Sequence, residues 1–152
     1  MANWKTITAD DLNDTKVAAL ITACRTKALA AGQADPVPGI IQGVIDAIRD
    51  EVKACPTNVL DADTTLIPKG LHRIGCRMVV RECQSRLRLA LTEEEMKEWD
   101  KDTAYLVRVA KCEIPVATPI TPETEPEVQS GGAVKIVSTG TPTVSRNNLS
   151  GL

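Results

Sequence analysis

The sequence predicts an all-α fold, a small four-helix bundle with a long extended C-terminal arm that has room for a short β-strand or hairpin. In four segments the apolar residues recur at intervals of three and four, as on one face of an amphipathic helix. Proline and glycine separate these segments, and the pattern stops at Pro115. We therefore expect a helical domain over residues 1–113 and an arm over residues 114–152.

The composition is that of a soluble globular protein. Apolar residues make up 43% of the chain, and Trp4, Trp99 and Tyr105 are the only aromatic residues, so the core must be aliphatic. A formal net charge of −2 argues against a general nucleic-acid binder, which normally carries a basic excess. No apolar run approaches the roughly 20 residues of a membrane helix, and the N-terminus lacks the features of a secretory signal. We expect synthesis in the cytosol and no membrane association.

The first two long helices should form an antiparallel hairpin. The first runs from about residue 14 to 31 and ends at Gly32, which suits the left-handed position after a helix. Asp35 is a good N-cap for the second helix, which has Pro36 at its first position and extends to about Cys55. Because only a few residues link the two helices, they should pack side by side.

A longer loop over residues 56–67 leads to the third long helix. This helix should begin near Pro68 and extend to Leu89 or Ala90. Gly75 in its middle costs about 1 kcal/mol relative to alanine, so it predicts the close approach of another helix.

The fourth helix has the clearest start signal in the chain. Thr92 and Glu95 form a capping box, with Leu91 and Met96 at hydrophobic-staple positions. The helix should end near residues 111–113. Its apolar side comprises Met96, Trp99, Thr103, Leu106, Val107 and Ala110.

The arm cannot fold alone. It is built largely from Thr, Pro, Ser, Val and Gly, and it has too few apolar side chains to offset the roughly 1–2 kcal/mol per residue lost on ordering the backbone. We therefore expect neighbouring subunits or a partner protein to hold it. Its only strand signal lies between Ala133 and Ser138, which suits a hairpin or pairing with a partner's sheet. The interface residues predicted there are Val134, Lys135, Ile136 and Val137.

Arginines recur along the predicted third helix. Arg73, Arg77 and Arg81 step by four and would form a basic ridge, which Arg88 continues. Such a ridge is either a solvated helix face or a seam between subunits, with DNA contact a third interpretation. The fourth helix offers the acidic surface that a seam in a head-to-tail ring would require. That surface comprises Glu93, Glu94, Glu95, Glu98, Asp100 and Asp102.

No residue pattern predicts a catalytic, cofactor or metal site. His72 is the only histidine, and we expect no His-based triad, dyad or multi-His metal site. Asp61 and Asp63 in the long loop fit turn chemistry better than metal binding.

The cysteines form no C-x-x-C pair, which argues against zinc. Because the chain shows no secretory signal, we expect all five to be reduced thiols that behave as small buried apolar residues. A redox role for Cys76 and Cys83, seven apart on one helical face, is the weaker alternative. The five are Cys24, Cys55, Cys76, Cys83 and Cys112.

Four stretches follow one another in a particular order and spacing: W-K-T-I-T-x-x-D-L from Trp4 to Leu12, A-L-A-A-G-Q-A-D-P over residues 28–36, V-I-D-A-I-R-D-E-V-K-A-C-P over residues 44–56, and L-T-E-E-E with its following helix over residues 91–112. In this order the chain resembles the small helical head-tail connector proteins, also called adaptor or head-completion proteins, of tailed bacteriophages, particularly the Mu-like group. The resemblance covers about residues 4–113.

This resemblance implies a structural virion protein without enzymatic activity. It implies a homo-oligomeric ring, typically of twelve subunits, in the phage neck between the portal protein and the tail terminator or another neck protein. The ring would complete the head for tail attachment, and genomic DNA would pass through its channel without sequence-specific binding. The long arm departs from the minimal pattern of the family, and we expect it to clasp a neighbouring subunit or the portal.

Two other functions compete with this one. A small helical DNA-binding regulator would use the arginine ridge on the third helix. An enzyme subunit or scaffold with a site shared between chains would use a carboxylate pair such as Asp61 and Asp63.

Overall fold

The computed structural model describes residues 2–13 and 15–123, and within them it confirms the predicted all-α fold with four long helices. The prediction did not include a short antiparallel ribbon of two-residue strands, which pairs Trp4 with Pro68 and Lys5 with Ile67. The elements in chain order are β1 (Trp4–Lys5), a 3-10 turn (Asp10–Leu12), α1 (Thr15–Ala30), α2 (Val37–Ala54), β2 (Ile67–Pro68), a second 3-10 turn (Lys69–Leu71), α3 (His72–Arg86) and α4 (Glu93–Ala110).

The link between α1 and α2 forms as the sequence predicts. Gly32 takes a left-handed backbone with φ 72°, and the next amide, of Gln33, donates to the carbonyl of Ala28 at 2.9 Å, which closes the end of α1. Helix α2 begins one residue later than predicted, at Val37, with Pro36 as its N-cap, and the Asp35 carboxylate accepts from the amide of Val37 at 3.0 Å.

Helix α3 is shorter than predicted at both ends. Pro68 lies in β2 with φ −55° and ψ 133°, an extended backbone, so the helix begins only at His72. It ends at Arg86, because Arg88 adopts a left-handed backbone with φ 57° and the amide of Leu89 donates to the carbonyl of Gln84 at 3.0 Å. The predicted extension to residue 89 or 90 is therefore wrong.

Helix α4 begins with the predicted capping box, in which the amide of Thr92 donates to the Glu95 carboxylate at 2.8 Å. Its predicted inward stripe is only partly correct, because Met96 is 52% exposed and Trp99 is 48% exposed. The buried residues of this helix all lie in its C-terminal half and are Asp102, Leu106 and Val109. Its N-terminal half contacts α3 only through side chains that reach across from that helix, such as Gln84 to Glu95.

Helix α2 is the centre of the core, since it contacts each of the other three helices. Ile45, Ile48 and Val52 on its inner face are almost completely buried. The close approach that Gly75 predicts is present: a Cβ there would lie 2.7 Å from Ile7 Cδ1 and 3.1 Å from Ile48 Cδ1. Gly75 thus makes room for isoleucine side chains from other parts of the core, rather than for a helix backbone.

A disulfide joins Cys55 at the end of α2 to Cys112 just after α4, with 5.3 Å between the Cα atoms. The expectation that all five cysteines are thiols is wrong for this pair. The two are 57 positions apart, so no local spacing signals the pairing, and only the packing of α4 beside α2 brings them together. Cys24, Cys76 and Cys83 are free thiols.

The bundle has two distinct ends. At the first, which we call the strand end, the ribbon, the start of α3, the end of α2 and the disulfide lie together. At the second, the hairpin end, the α1–α2 link meets the end of α3, where Arg86 donates to the Gln33 side chain at 3.0 Å. Among the described helices, none is both long and apolar enough to cross a membrane.

Candidate functional site

The first residues after α4 do not leave the bundle. We call residues 114–123 the arm base. Ile114 and Val116 pack against the core, and Trp4 Nε1 donates to the carbonyl of Ala117 at 2.8 Å. The arm base is therefore held by its own subunit, contrary to the prediction that only an outside partner could hold it.

The arm base then runs along the loop that follows α2. The amide of Ala62 donates to the carbonyl of Thr121 at 2.8 Å, and the amide of Glu123 donates to the carbonyl of Leu60 at 2.7 Å. Asp61 and Pro122 face each other in an antiparallel bridge between these two bonds. The arm base is consequently fixed as far as Glu123, beside the loop that follows α2. The predicted interface residues from 134 to 137 lie outside the described residues.

Arg49 holds that loop in place. Its side chain is only 6% exposed, and the guanidinium donates to the carbonyls of Asp61, Asp63 and Leu66 at 2.8, 3.0 and 2.9 Å. The same guanidinium lies 5.9 Å from the ring centre of Trp4, within cation–π range. One side chain thus supports both surfaces on which the arm base rests.

Sequence reasoning missed Arg49, although a signal was present. It stands four positions after Ile45 and three before Val52, on the buried face of an amphipathic helix. A charged residue at such a position needs buried partners. Backbone carbonyls can supply them, but their identity depends on the path of the loop.

Asp61 and Asp63 serve the turn, as predicted. The Asp61 carboxylate accepts from the amide of Asp63 at 2.9 Å, and the Asp63 carboxylate accepts from the amide of Thr65 at 2.9 Å and from its hydroxyl at 2.7 Å. The bonds from Thr65 lower the pKa of Asp63. Within the described residues, no group of three or more His, Cys, Asp or Glu side chains is placed to bind a metal.

Two of the four arginines of the predicted ridge, Arg77 and Arg81, share one carboxylate from the same chain. Asp102 on α4, which is 5% exposed, accepts from Arg77 Nε at 2.8 Å and from Arg81 Nη2 at 2.7 Å. Burial alone would raise the pKa of Asp102, but the two guanidinium groups lower it. Arg81 also lies 5.6 Å from the ring centre of Trp99.

These pairs correct one part of the predicted acidic surface. Asp102 is buried and is not part of it, and Arg77 and Arg81 already have a carboxylate partner. Glu95 is likewise occupied, by the capping box and by the Gln84 side chain at 3.0 Å. The seam between subunits stays a prediction for the other residues.

Six of the predicted seam residues are exposed and, within the described part of the chain, make no ion pair. The basic ones do not form one continuous ridge, because Arg88 lies beyond the end of α3. The six are Arg73, Arg88, Glu93, Glu94, Glu98 and Asp100.

Two neighbouring grooves open at the hairpin end. The larger, with a volume of about 690 Å³, lies between α2 and α3, where Gly39, Gly43 and Ala47 leave space beside Met78. The smaller, of about 270 Å³, lies between α3 and α4 and shares Met78 and Glu82 with the first. Leu89, Leu91 and Trp99 line the smaller groove. Together they form an apolar surface that the described residues leave uncovered.

Asp11, His72 and Cys76 lie in contact with one another beside β1. His72 Nε2 lies 3.1 Å from the carbonyl of Thr6 and 3.4 Å from the Asp11 carboxylate, and Nδ1 lies 3.8 Å from Cys76 Sγ. The expectation that a single histidine could build no such group is wrong, since a triad needs only one. Burial, followed by the Asp11 charge, raises the pKa of the Cys76 thiol, so the sulfur keeps its proton at neutral pH. These side-chain contacts therefore tie the N-terminal segment to α3.

Comparison of the chain with protein-family models, with curated proteins and with solved structures found no match.

Proposed function

We propose that this protein is a structural adaptor of the phage neck, a subunit that joins head to tail by forming a ring with copies of itself. The sequence resemblance to head-tail connectors supports this proposal. The proposal rests chiefly on one geometric observation. The arm base ends beside the loop that follows α2, whereas the uncovered grooves lie at the hairpin end. In the ring, the arm of one copy occupies the grooves of the next.

The lengths are compatible with this contact. Residues 124–152 could reach on the order of 95 Å if fully extended. The bundle is about as long as α2, roughly 27 Å for its 18 residues. A contact between opposite ends of two copies is heterologous, and repetition of such a contact closes into a ring when the rotation allows it.

The apolar residues on both sides favour the same arrangement. Met96, Trp99 and Leu89 are about half exposed at the hairpin end, an unusual place for side chains of this size. The arm offers Val134, Ile136 and Val137 within its one strand-forming segment. Tethering the arm to its bundle raises its effective concentration at the neighbouring groove.

A fixed arm base also suits an adaptor. Ordering a free arm costs conformational entropy, and each residue already held by its own subunit lowers that cost when the arm binds. The ion pairs of Asp102 weaken the alternative hypothesis of a DNA-binding regulator, because they occupy two of the four arginines that such a regulator would use. We keep the portal protein, a tail-side neck protein and the passing DNA as proposed partners.

Two variants with opposite defects test the arm–groove contact. Deletion of residues 124–152 removes the arm and leaves both grooves open. Ala47→Arg fills the larger groove and leaves the arm in place. Each variant alone should remain a monomer in light scattering. An equimolar mixture should form dimers and nothing larger, because only one arm–groove contact is then possible.

Ala23→Arg is the matched control, since Ala23 is an exposed residue of α1 that lines neither groove. It should assemble like the unaltered protein. Rings formed by the arm deletion, or a mixture that remains monomeric while the unaltered protein forms rings, would refute the proposed contact. The adaptor function would be refuted if the unaltered protein formed no oligomer and if phage particles were still completed with the arm deleted.

A further inference from the structure

The disulfide stands at the point where the arm base begins. Cys112 follows the last turn of α4 by two residues, and Ile114 of the arm base packs on the core two residues later. Through Cys55 the bond ties this junction to the end of α2. The position of the arm base therefore depends on a covalent bond that thiols can break.

The two cysteine residues differ in their exposure. Cys55 is buried, with 1% of its surface exposed, whereas Cys112 is an exposed residue. Cys112 also has a left-handed backbone with φ 61°, a conformation that residues other than glycine seldom adopt. Lys111 beside it is exposed and positively charged, which favours the approach of an anionic thiolate.

Thr57 is placed to assist the breaking of the bond. Its hydroxyl oxygen lies 3.0 Å from Cys55 Sγ. A disulfide sulfur carries no hydrogen, so the hydroxyl is the donor in this contact. If Cys55 leaves as a thiolate, the same hydroxyl stabilises the negative charge, and a stabilised leaving group departs faster.

The other cysteines do not compete for this chemistry. Cys24 and Cys83 are buried. Burial, reinforced by the neighbouring Cys24, raises the pKa of Cys83 to about 12. The pKa of Cys76 is raised as well, chiefly by burial. Since the thiolate is the reactive form, thiol–disulfide exchange is confined to the Cys55–Cys112 pair.

We propose that the Cys55–Cys112 pair is a redox lock on the arm base, open as two thiols while the protein assembles in a reducing cytosol and closed as a disulfide once it has left the cell. The times at which the disulfide is open and closed rest on the proposed function, because a virion protein leaves the reducing cytosol with its particle. The open form lets the end of α4 and the arm base adjust while the arm finds its neighbour. The closed form holds the arm base in its final place.

Opening proceeds by two exchange steps with a small-molecule thiol such as glutathione. A glutathione thiolate attacks Cys112 Sγ, the protein disulfide breaks, and Cys55 leaves as a thiolate that takes a proton from water. A second glutathione thiolate then attacks the glutathione sulfur of the mixed disulfide and releases Cys112, which is protonated in turn. The protein pair gains two electrons and two protons, and two glutathione molecules become one glutathione disulfide. Closing is the reverse reaction.

The test uses the full-length protein in reducing and in oxidising glutathione buffers. After denaturation and alkylation, mass spectrometry should count five modified cysteines in the reducing buffer and three in the oxidising buffer, since three are free in the disulfide form. In parallel, trypsin should cut after Lys111 roughly tenfold faster in the reducing buffer, because the end of α4 then opens locally. Thr57→Val should slow reduction several-fold.

Two variants control the experiment. The double variant Cys55→Ser, Cys112→Ser should show the fast cleavage in both buffers. Cys76→Ser should show the same change in cleavage as the unaltered protein, with four modified cysteines in the reducing buffer and two in the oxidising buffer. A count of three modified cysteines in both buffers would overturn the proposal, and so would opening of the disulfide without any change in cleavage after Lys111. Both results concern the disulfide and the peptide bond after Lys111 and do not require ring formation, so they are separate from the outcome of the mixed-variant test.

Discussion

Replacing Arg49 by methionine should destabilise the protein by about 3 kcal/mol and should loosen the arm base in particular. Methionine keeps most of the apolar stem but removes the guanidinium that donates to three backbone carbonyls. A hydrogen bond from a charged group contributes roughly 1.5–3 kcal/mol, and the three share one side chain, so their contributions are not additive. The loss of the cation–π contact with Trp4 adds about 0.5–1 kcal/mol.

Urea unfolding followed by circular dichroism measures the total loss. Arg73→Met is the matched control, because Arg73 is exposed and makes no ion pair among the described residues, and its free energy of unfolding should change by less than about 0.5 kcal/mol. Hydrogen exchange measures where the loss occurs. The amides of Ala62 and Glu123 should lose protection before those of the helix interiors, because both depend on the loop that Arg49 holds.

Two results would show that this reasoning is mistaken. One is a free energy of unfolding for Arg49→Met within about 0.5 kcal/mol of that for Arg73→Met. The other is the expected loss of stability with the amides of Ala62 and Glu123 still fully protected, since the role of Arg49 in holding the arm base would then have no support.

Three further predictions concern the bundle itself. Asp102→Asn should lower the free energy of unfolding by about 3 kcal/mol, because Arg81 then stays buried without its carboxylate. Folding lowers the pKa of Asp102 from its ordinary value of 3.8. The ionised carboxylate therefore stabilises the folded protein fully above pH 3.8, and this stabilisation is lost as the pH falls through the lower pKa of the folded state. Urea unfolding measured below about pH 4 should show a weaker pH dependence in the variant. Gly75→Val should cost more than about 2 kcal/mol by overpacking, whereas Gly43→Ala, with no atom within 4 Å of the added Cβ, should raise the melting temperature through a gain of about 0.5–1 kcal/mol. Thr92→Ala should cost about 1 kcal/mol in thermal unfolding by removing the cap of α4, and an unchanged melting temperature would contradict this.

The features that could be predicted from the sequence are those with a local cause. Gly32 ends α1 because glycine tolerates a left-handed backbone, and the capping box of α4 needs only residues three positions apart. Gly75 also signalled close packing at its own position, although its sequence context could not name the isoleucine side chains that approach it.

The features that could not be predicted depend on contacts between distant residues. The arginine ridge and the acidic helix were recognised as complementary, but periodicity carries no information on whether two charged faces meet within one subunit or between two. For Asp102 the structure answers that question, because its carboxylate turns inward and pairs with Arg77 and Arg81 of the same subunit. This orientation follows from how α4 packs in the bundle. The disulfide and the support of the loop by Arg49 depend in the same way on packing.

The bond between Trp4 and the carbonyl of Ala117 joins residues 113 positions apart, so it has a consequence for folding during synthesis. A ribosome adds about 5–20 residues per second, and the hairpin of α1 and α2 can form while Trp4 is still without its partner. Trp4 completes its contacts only after α4 and the arm base have emerged, because the acceptor of its Nε1–H group is Ala117 in the arm base. In a Trp99→Phe variant, which leaves a single tryptophan, the fluorescence of Trp4 should therefore report the last step of folding rather than the formation of the helices.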